Sequence, residues 1–319
     1  MSNPDEEKAE FSLIEKMIRA MRLLAAGLTQ MEARFLVWAY YAMQEDRKRA
    51  NNQIRALKEV GEPHELVIWV SENARRLEND VKAALDVYSA AHPLGRWMRT
   101  IHGIGPVLSA GLLAHIDFLH GRKEKDCDCE TNELKRARMT KTLKLKEGAA
   151  ICAGHPIQTC GAIWRFAGQD PTVHWEKGQR RPFNAELKTI CWKIGESFVK
   201  VSNDEHSFFG KKYKDRKAQE IAKNEAGDFS AQAEAMVKNV PKHKQVATYK
   251  QGILPDGHIH SRAKRFAVKM FLAALFDKGM KLNNLPVPKP YVIGILGHAH
   301  EFTSEDVDRY EHPEGMPKD

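Results

Sequence analysis

The stretch that most constrains the fold is Arg99–Asp117, with the sequence RTIHGIGPVLSAGLLAHID. Apolar residues lead into the turn His102–Pro106, and a second apolar segment, Val107–Ile116, follows at once. The two glycines of the turn, Gly103 and Gly105, can take positive φ. A proline is tolerated at the first position of a helix, where its missing N–H breaks no hydrogen bond. The pattern therefore predicts a helix, a tight turn and a second helix.

Two interpretations of this turn remain open. The free backbone amides and the positive end of the helix dipole at the start of the second helix form a phosphate-binding site. A helix-hairpin-helix of this kind binds a nucleic-acid backbone without reading the base sequence. Thr100, Gly103 and Gly105 are then candidate contacts. The alternative is an ordinary tight turn between two packed helices.

The composition is that of a soluble globular chain with a basic balance. Of the 319 residues, 42% are hydrophobic and 29% are charged, and the net charge is +8. We expect a cytoplasmic protein, because no apolar run is long enough for a membrane span and the acidic N-terminus is unlike a signal peptide. An odd number of cysteines, five, argues against a disulfide framework. The positive charge is compatible with a polyanionic partner.

Residues 1–94 are predicted to form N-terminal helices and a helical hairpin. Apolar spacing predicts a helix within residues 1–28. Thr29 and Glu32 form a capping box that opens a long helix to about Lys58. A third helix is predicted from about His64 to Ala91. Charged outer faces favour an antiparallel coiled-coil hairpin, which would serve as a dimer surface or a spacer, although an ordinary bundle is the alternative.

Residues 95–302 are predicted to form a helical core, so the expected fold is mainly α, and residues 303–319 a polar C-terminal tail. A cysteine-rich insertion spans residues 121–160. Thiolate and imidazole groups are the ligands that zinc prefers, and four of them would close a structural site. Unliganded buried thiols are the alternative. The candidate ligands are Cys127, Cys129, Cys152, His155 and Cys160.

A basic loop precedes the next predicted helix. Pro182 and Asn184 open that helix, and Lys188 lies off its apolar stripe. A basic loop that enters a helix N-terminus is a phosphate-binding arrangement, and a solvated loop before a core helix is the alternative. The candidate contacts here are Lys177, Gln179, Arg180, Arg181, Asn184 and Lys188.

The sharpest charge asymmetry lies between Lys238 and Lys269, with eight Lys or Arg residues and one acid, Asp256. A helix is predicted over Phe266–Phe276, preceded by the basic segment Gly257–Arg265. We expect hydrogen-bonding contacts from His258 and His260. Cations off the buried face would meet a phosphate backbone. They are Arg262, Lys264, Arg265 and Lys269.

Motifs for several enzyme classes are missing from the sequence. It contains no carboxylate set typical of a two-metal nuclease, no HNH-like cluster, no P-loop and no dinucleotide fingerprint. We therefore expect a protein that is not an enzyme.

Three ordered segments carry a family resemblance. Thr100–Pro106, Phe166–Pro171 and the Lys-Gly-x-Arg loop at 177–180 resemble the C-terminal half of the bridge-RNA-guided transposases. In that family a RuvC-like domain with an acidic tetrad precedes a coiled coil and a domain with a nucleophilic serine. This chain starts with the helical hairpin, and no serine stands between Pro171 and Gly178.

The chain is most similar to the nuclease-free, TasA-like members of the TIGR-Tas systems, whose core is similar to the Nop domain of box C/D ribonucleoproteins. The resemblance covers roughly residues 30–300 and does not account for the cysteine-rich insertion. It implies a small guide RNA held by a Nop-like core, a target DNA paired with the guide, and a homodimer formed through coiled coils.

The expected function is thus RNA-guided DNA binding without cleavage. One alternative is a divergent transposase or recombinase, for which Asp170, His174 and Glu176 are the residues to test. The other is a zinc-stapled adaptor that binds DNA through the helix-hairpin-helix without RNA.

Overall fold

A computed structural model describes residues 15–118, 157, 159–173, 175–240, 242–288 and 302–316. These residues are mainly helical and none of them lies in a strand, which confirms the predicted mainly α fold. They fall into two compact units. The first takes its residues from Met1–Arg96 and Ser109–His115, and the second from Trp97–Leu108 and Ile116–Asp319.

The first unit is built around two long helices. Its helices are α1 (Arg19–Leu23), a 3-10 turn (Leu24–Gly27), α2 (Gln30–Lys58) and α3 (Glu65–Ala91). In the described part of the predicted helix over residues 1–28, residues 15–18 are not helical and α1 and the 3-10 turn follow them; residues 1–14 lie outside the described residues.

Polar bonds show that α2 and α3 run antiparallel. Arg47 of α2 forms an ion pair with Glu78 of α3, and the Ser71 hydroxyl donates to Asn51 at 2.8 Å. Residue numbers therefore rise along one helix as they fall along the other. The capping box at the start of α2 is confirmed: the Thr29 N–H donates to Glu32 Oε2 at 2.7 Å, and the Glu32 N–H donates to Thr29 Oγ1 at 3.3 Å.

Two further helices flank the predicted turn: α4 (Pro93–Arg99) and α5 (Pro106–His115). The helices that lie wholly in the second unit follow in chain order: α6 (Cys160–Phe166), α7 (Ala185–Lys200), α8 (Phe208–Glu225), α9 (Ser230–Asn239), α10 (Val246–Lys250), α11 (Asp256–Leu282) and α12 (Ser304–Glu311).

Helix α11 is the central element of the second unit. It packs against α6, α7, α8 and α12. Its Phe271 ring contacts Phe198 of α7 and Phe209 of α8, with ring centroids 5.6 and 5.4 Å apart. All three rings are fully buried. Aromatic pairs in this edge-on geometry stabilise a core beyond the area that they bury.

Two further segments differ from the sequence-based prediction. Helix α11 starts at Asp256, directly after Pro255, so Gly257–Arg265 is part of the helix rather than a segment before it. Buried Ile259 and Ala263 continue the apolar stripe toward the N-terminus and explain the longer helix. Residues 304–311, predicted as part of a polar tail, form α12, in which Val307 is buried.

No helix in the described part of the chain combines the length and the apolar character that a bilayer-spanning segment needs.

Candidate nucleic-acid interface

Asn184 positions the start of α7. Its side-chain oxygen accepts the Leu187 N–H at 3.0 Å, which makes it the N-cap of the helix. Its own N–H donates to the Phe166 carbonyl at the end of α6, at 2.9 Å. Asn184 thus joins the end of the basic loop to α6, and its cap explains why α7 begins at this point.

The basic loop before α7 is exposed and closed by its own bonds. The Trp175 indole N–H donates to the Gln179 carbonyl at 2.8 Å, and the Arg181 guanidinium lies 5.4 Å from the centroid of the Trp175 ring. The Gln179 amide donates to Glu176 at 3.3 Å. All of these side chains are exposed, as are those of Lys177 and Arg180.

Lys188 lies on aromatic surface at the start of α7. Its ammonium is 4.1 Å from the centroid of the Phe183 ring. Gly168 has φ +64°, and a Cβ there would lie 2.8 Å from the Lys188 stem and 3.0 Å from the Phe183 ring. The close approach of α6 to Lys188 therefore requires a glycine.

Three cations of different segments lie close enough for their charges to interact: Arg181 of the loop, Lys188 of α7 and Arg265 of α11. We call them the cationic triad. Burial lowers the pKa of Lys188, and the positive charges of Arg265 and Arg181 lower it further. In the described part of the chain, no carboxylate forms an ion pair with any member of the triad. The triad is thus a concentration of positive charge without an ion-pair partner among the described residues. Burial and the charge of Arg262 lower the pKa of Arg265, and the charge of Glu220 opposes them only in part.

Two predicted contacts of α11 have partners inside the protein instead. Arg262 pairs with the buried Glu220 of α8, donates to Gln232 at 3.1 Å and lies 4.5 Å from the Phe229 ring centroid. Lys264 pairs with Glu196 of α7. These bonds hold α11 to its neighbouring helices.

His258 and His260 also form hydrogen bonds within the protein. The His260 ring nitrogen Nδ1 lies 2.7 Å from the Tyr213 hydroxyl, and His258 Nδ1 lies 3.3 Å from the Tyr249 hydroxyl. Burial lowers the pKa of each imidazole, and nearby positive charges lower it further. Both rings are therefore neutral at neutral pH.

The predicted turn is packed against α7. Gly103 has φ +90°, and its carbonyl accepts the Ser197 hydroxyl at 2.6 Å. A Cβ on Gly103 would lie 3.2 Å from Val201 and 3.3 Å from Ser197 Oγ. Gly105 does not have positive φ, contrary to the expectation, and it is exposed with open space around its Cα. The Thr100 hydroxyl donates to the Trp97 carbonyl at 2.8 Å.

A buried carboxylate adjoins the turn. Glu311 of α12 accepts the His102 N–H at 2.7 Å and the Phe208 N–H at 3.1 Å, and it lies 3.1 Å from His102 Nδ1. Burial raises the pKa of Glu311 more than these donors lower it. Glu311 ties α12 to the turn and to the start of α8.

The predicted zinc site lies almost wholly outside the described residues. Of its five candidate ligands only Cys160 is described; the others are Cys127, Cys129, Cys152 and His155. Burial raises the pKa of the Cys160 thiol to about 12, against the opposing effect of Lys269. Among the described residues no three His, Cys, Asp or Glu side chains are grouped as a metal site would need. Zinc therefore stays a prediction.

The candidate residues of the recombinase alternative have local roles. Asp170 accepts the Thr172 N–H at 2.9 Å and the Thr172 hydroxyl at 2.7 Å. Glu176 accepts from Gln179. His174 lies outside the described residues.

Sequence reasoning missed the aromatic rings that accompany the cations. Lys269 lies 4.2 Å from the Trp164 ring centroid, and the Trp164 indole N–H donates to the Lys269 carbonyl at 3.0 Å. Trp192 is exposed one turn after Lys188. The spacing of Lys188 and Trp192, four residues apart on one helix, is a signal that places both on one face of α7. The cation beside the Trp192 ring, however, is Lys264 of α11, 5.9 Å from its centroid.

Comparison of the chain with protein-family models, with curated proteins and with solved structures finds no match.

Proposed function

We propose that the protein binds nucleic acid, and that it holds a small guide RNA together with its DNA target without cleaving them. The observation that carries the proposal is the cationic triad, in which the charges of Arg265 and Arg181 act on Lys188 and no member has an ion-pair partner among the described residues. Two other predicted cations of α11 contrast with it, since Arg262 and Lys264 are neutralised by carboxylates.

A phosphate backbone would supply the charge that the triad lacks. Arginine offers a planar fork of donors that matches phosphate oxygens, and lysine acts as a point charge. The triad combines both on three separate segments. Because phosphates release condensed counterions when such cations bind them, the contact is favourable and depends strongly on salt.

The aromatic rings hold the cations in place. Lys188 lies on Phe183 and Arg181 lies over Trp175, so both side chains are restricted before any ligand arrives. Such cation–π contacts contribute about 0.5–1 kcal/mol at exposed sites. A preorganised cation loses less conformational entropy on binding than a free one.

The guide-RNA part of the proposal rests on the family resemblance. The triad can hold a backbone, and backbone contacts carry no sequence information. A base-paired guide would then read the target sequence, as in other RNA-guided systems. The predicted homodimer, formed through the hairpin of α2 and α3, belongs to the same expectation.

The first experiment examines nucleic acid that copurifies with the protein from a host carrying its native locus. We expect a discrete small RNA encoded at that locus, removed by RNase and not by DNase. DNA binding that is unaffected by RNase would instead favour the RNA-independent adaptor. Strand cleavage or exchange with divalent metal would contradict the non-cleaving part and favour the recombinase.

The second experiment removes the triad. The variant R181Q/K188Q/R265Q is compared with K214Q/K223Q/K250Q, in which the same amount of charge is removed from exposed lysines. Binding to a labelled single strand is measured by anisotropy over a range of salt concentrations. Because each cation that neutralises a phosphate contributes about 0.7 to the slope of log K against log salt on single strands, removal of the triad should lower that slope by about 2. Equal slopes for both variants would refute the role of the triad.

A further inference from the structure

Trp192 is unusual among the described tryptophans. Trp192 is 59% exposed, whereas Trp97 is 4% exposed. The indole N–H groups of Trp164 and Trp175 donate hydrogen bonds to backbone carbonyls. Tryptophan is on average one of the more buried residue types. An indole left open to water on a regular helix is therefore available to a ligand.

Polar residues surround Trp192 on its own helix. The positions three and four residues away on α7 are Lys188, Thr189, Gly195 and Glu196. Side chains at these spacings are its neighbours on the helix surface. Apolar protein partners dock on contiguous apolar patches, and the helix offers none here.

Helix α11 adds charge beside the ring. A Cβ on Gly195 would lie 3.3 Å from Val268 and 3.5 Å from the Lys264 Cβ, so α7 and α11 approach closely at this point. The Lys264 ammonium lies 5.9 Å from the Trp192 ring centroid, and the only carboxylate among the α7 neighbours of Trp192, Glu196, is paired with this lysine.

One member of the cationic triad lies on the same helix as Trp192. Lys188 precedes Trp192 by four residues, which places the two side chains one above the other on the same face of α7. The triad can hold phosphates of a strand at this end of the helix. The exposed indole then offers a flat apolar surface to the sugars and bases of the same strand beside those phosphates.

We propose that Trp192 stacks on an unpaired nucleobase of a single strand whose phosphates contact the cationic triad. Every base has a π face, so this contact tolerates any sequence. Bases inside a duplex are already stacked on each other and cannot offer that face. The ligand of this subsite is thus single-stranded nucleic acid, and the inference rests on the proposed function.

The test compares W192A and W192F with the unmodified protein in anisotropy titrations. The probes are a labelled 12-nucleotide single-stranded RNA, the 12-base-pair duplex that contains it, and a strand of equal length whose sites are all abasic. Replacement of Ile221, another exposed apolar residue of the second unit, by alanine is the control. Thermal unfolding checks that each variant remains folded.

W192A should weaken binding of the RNA strand about tenfold, because it removes the ring on which one base stacks. W192F should retain most of the affinity because phenylalanine can also stack. Binding of the duplex and of the abasic strand should change less than twofold, and I221A should behave as the unmodified protein.

Other outcomes overturn the inference. An equal reduction of affinity for the RNA and abasic strands would show that W192A acts on the backbone site rather than on a base. If W192A binds RNA as the unmodified protein does, and this binding still depends on salt and on the triad, the stacking is refuted and the proposed function remains intact. If the unmodified protein binds neither strand nor duplex, the proposed function and the inference both fail.

Discussion

Arg262 and Arg265 lie three residues apart on α11 and should respond oppositely to replacement by alanine. The Arg262 guanidinium is neutralised by Glu220, whereas Arg265 belongs to the cationic triad and is exposed. We expect R262A to destabilise the protein without a direct effect on nucleic-acid binding. R265A should weaken binding and leave stability nearly unchanged.

The magnitude for R262A follows from the interactions that it removes. Hydrogen bonds to a charged group contribute about 1.5–3 kcal/mol, the bond to Gln232 about 1, and the cation–π contact with Phe229 about 0.5–1. Freeing the arginine side chain returns about 2 kcal/mol of conformational entropy. Glu220 keeps Arg216 as a partner, so it does not become an unpaired buried charge. The net destabilisation is about 2 kcal/mol, or about 6 °C in Tm for a unit of this size.

Differential scanning calorimetry measures the stability of both variants, and anisotropy at fixed salt measures their binding. Surface substitutions that touch no buried network usually change stability by less than about 0.5 kcal/mol, which is the expectation for R265A. The reasoning is refuted if R262A unfolds at the same temperature as the unmodified protein yet binds nucleic acid more weakly. A large decrease of stability in R265A would contradict it equally.

Three further predictions concern the fold. G103A should lower the free energy of unfolding in urea by about 2 kcal/mol, because φ is +90° at Gly103 and the new Cβ would crowd α7. G105A should leave it nearly unchanged, and equal effects of the two substitutions would contradict this. T29A should cost about 1 kcal/mol by removing the α2 cap, and an unchanged Cm would show that the cap is dispensable. Burial acts to raise the pKa of Glu220, but Arg262 and Arg216 outweigh it, so the pKa in the folded state is lowered. The charged Glu220 therefore stabilises the fold above the ordinary carboxyl pKa, and this stabilisation is lost as pH falls through the folded-state pKa. The difference in stability between the unmodified protein and E220Q should accordingly shrink between pH 7 and pH 3.

Local signals predicted the two long helices α2 and α3 well. The capping box of Thr29 and Glu32 places the start of α2 within one residue, because a cap is a bond between neighbours in sequence. The helix after Thr303 could not be predicted in this way. Its residue Glu311 is buried, and its carboxylate accepts hydrogen bonds from His102 and Phe208, which lie far away in the chain. A polar residue that is satisfied by distant partners looks like a solvated one in the sequence.

The same limit applies to the candidate site. The basic balance of residues 238–269 is visible in the sequence, but the division of its cations into neutralised and free ones is not. Arg262 meets Glu220 across 42 positions of sequence, and only the packing of α11 on α8 brings them together. Arg265, three residues later on the same side of α11, has no ion-pair partner among the described residues, although the charges of Arg262 and Glu220 reach it.

The turn at Gly103 and the triad occupy opposite ends of α7. Gly103 contacts Ser197, and nine residues of helix, about 14 Å at 1.5 Å per residue, separate Ser197 from Lys188. A strand that touched both would have to follow α7 for about four nucleotides, at about 3.4 Å each. The turn end carries the buried carboxylate Glu311, while the triad end carries cations without an ion-pair partner among the described residues. The electrostatics therefore favour phosphate at the start of α7, and the turn contributes by fixing the far end of the helix that presents Lys188.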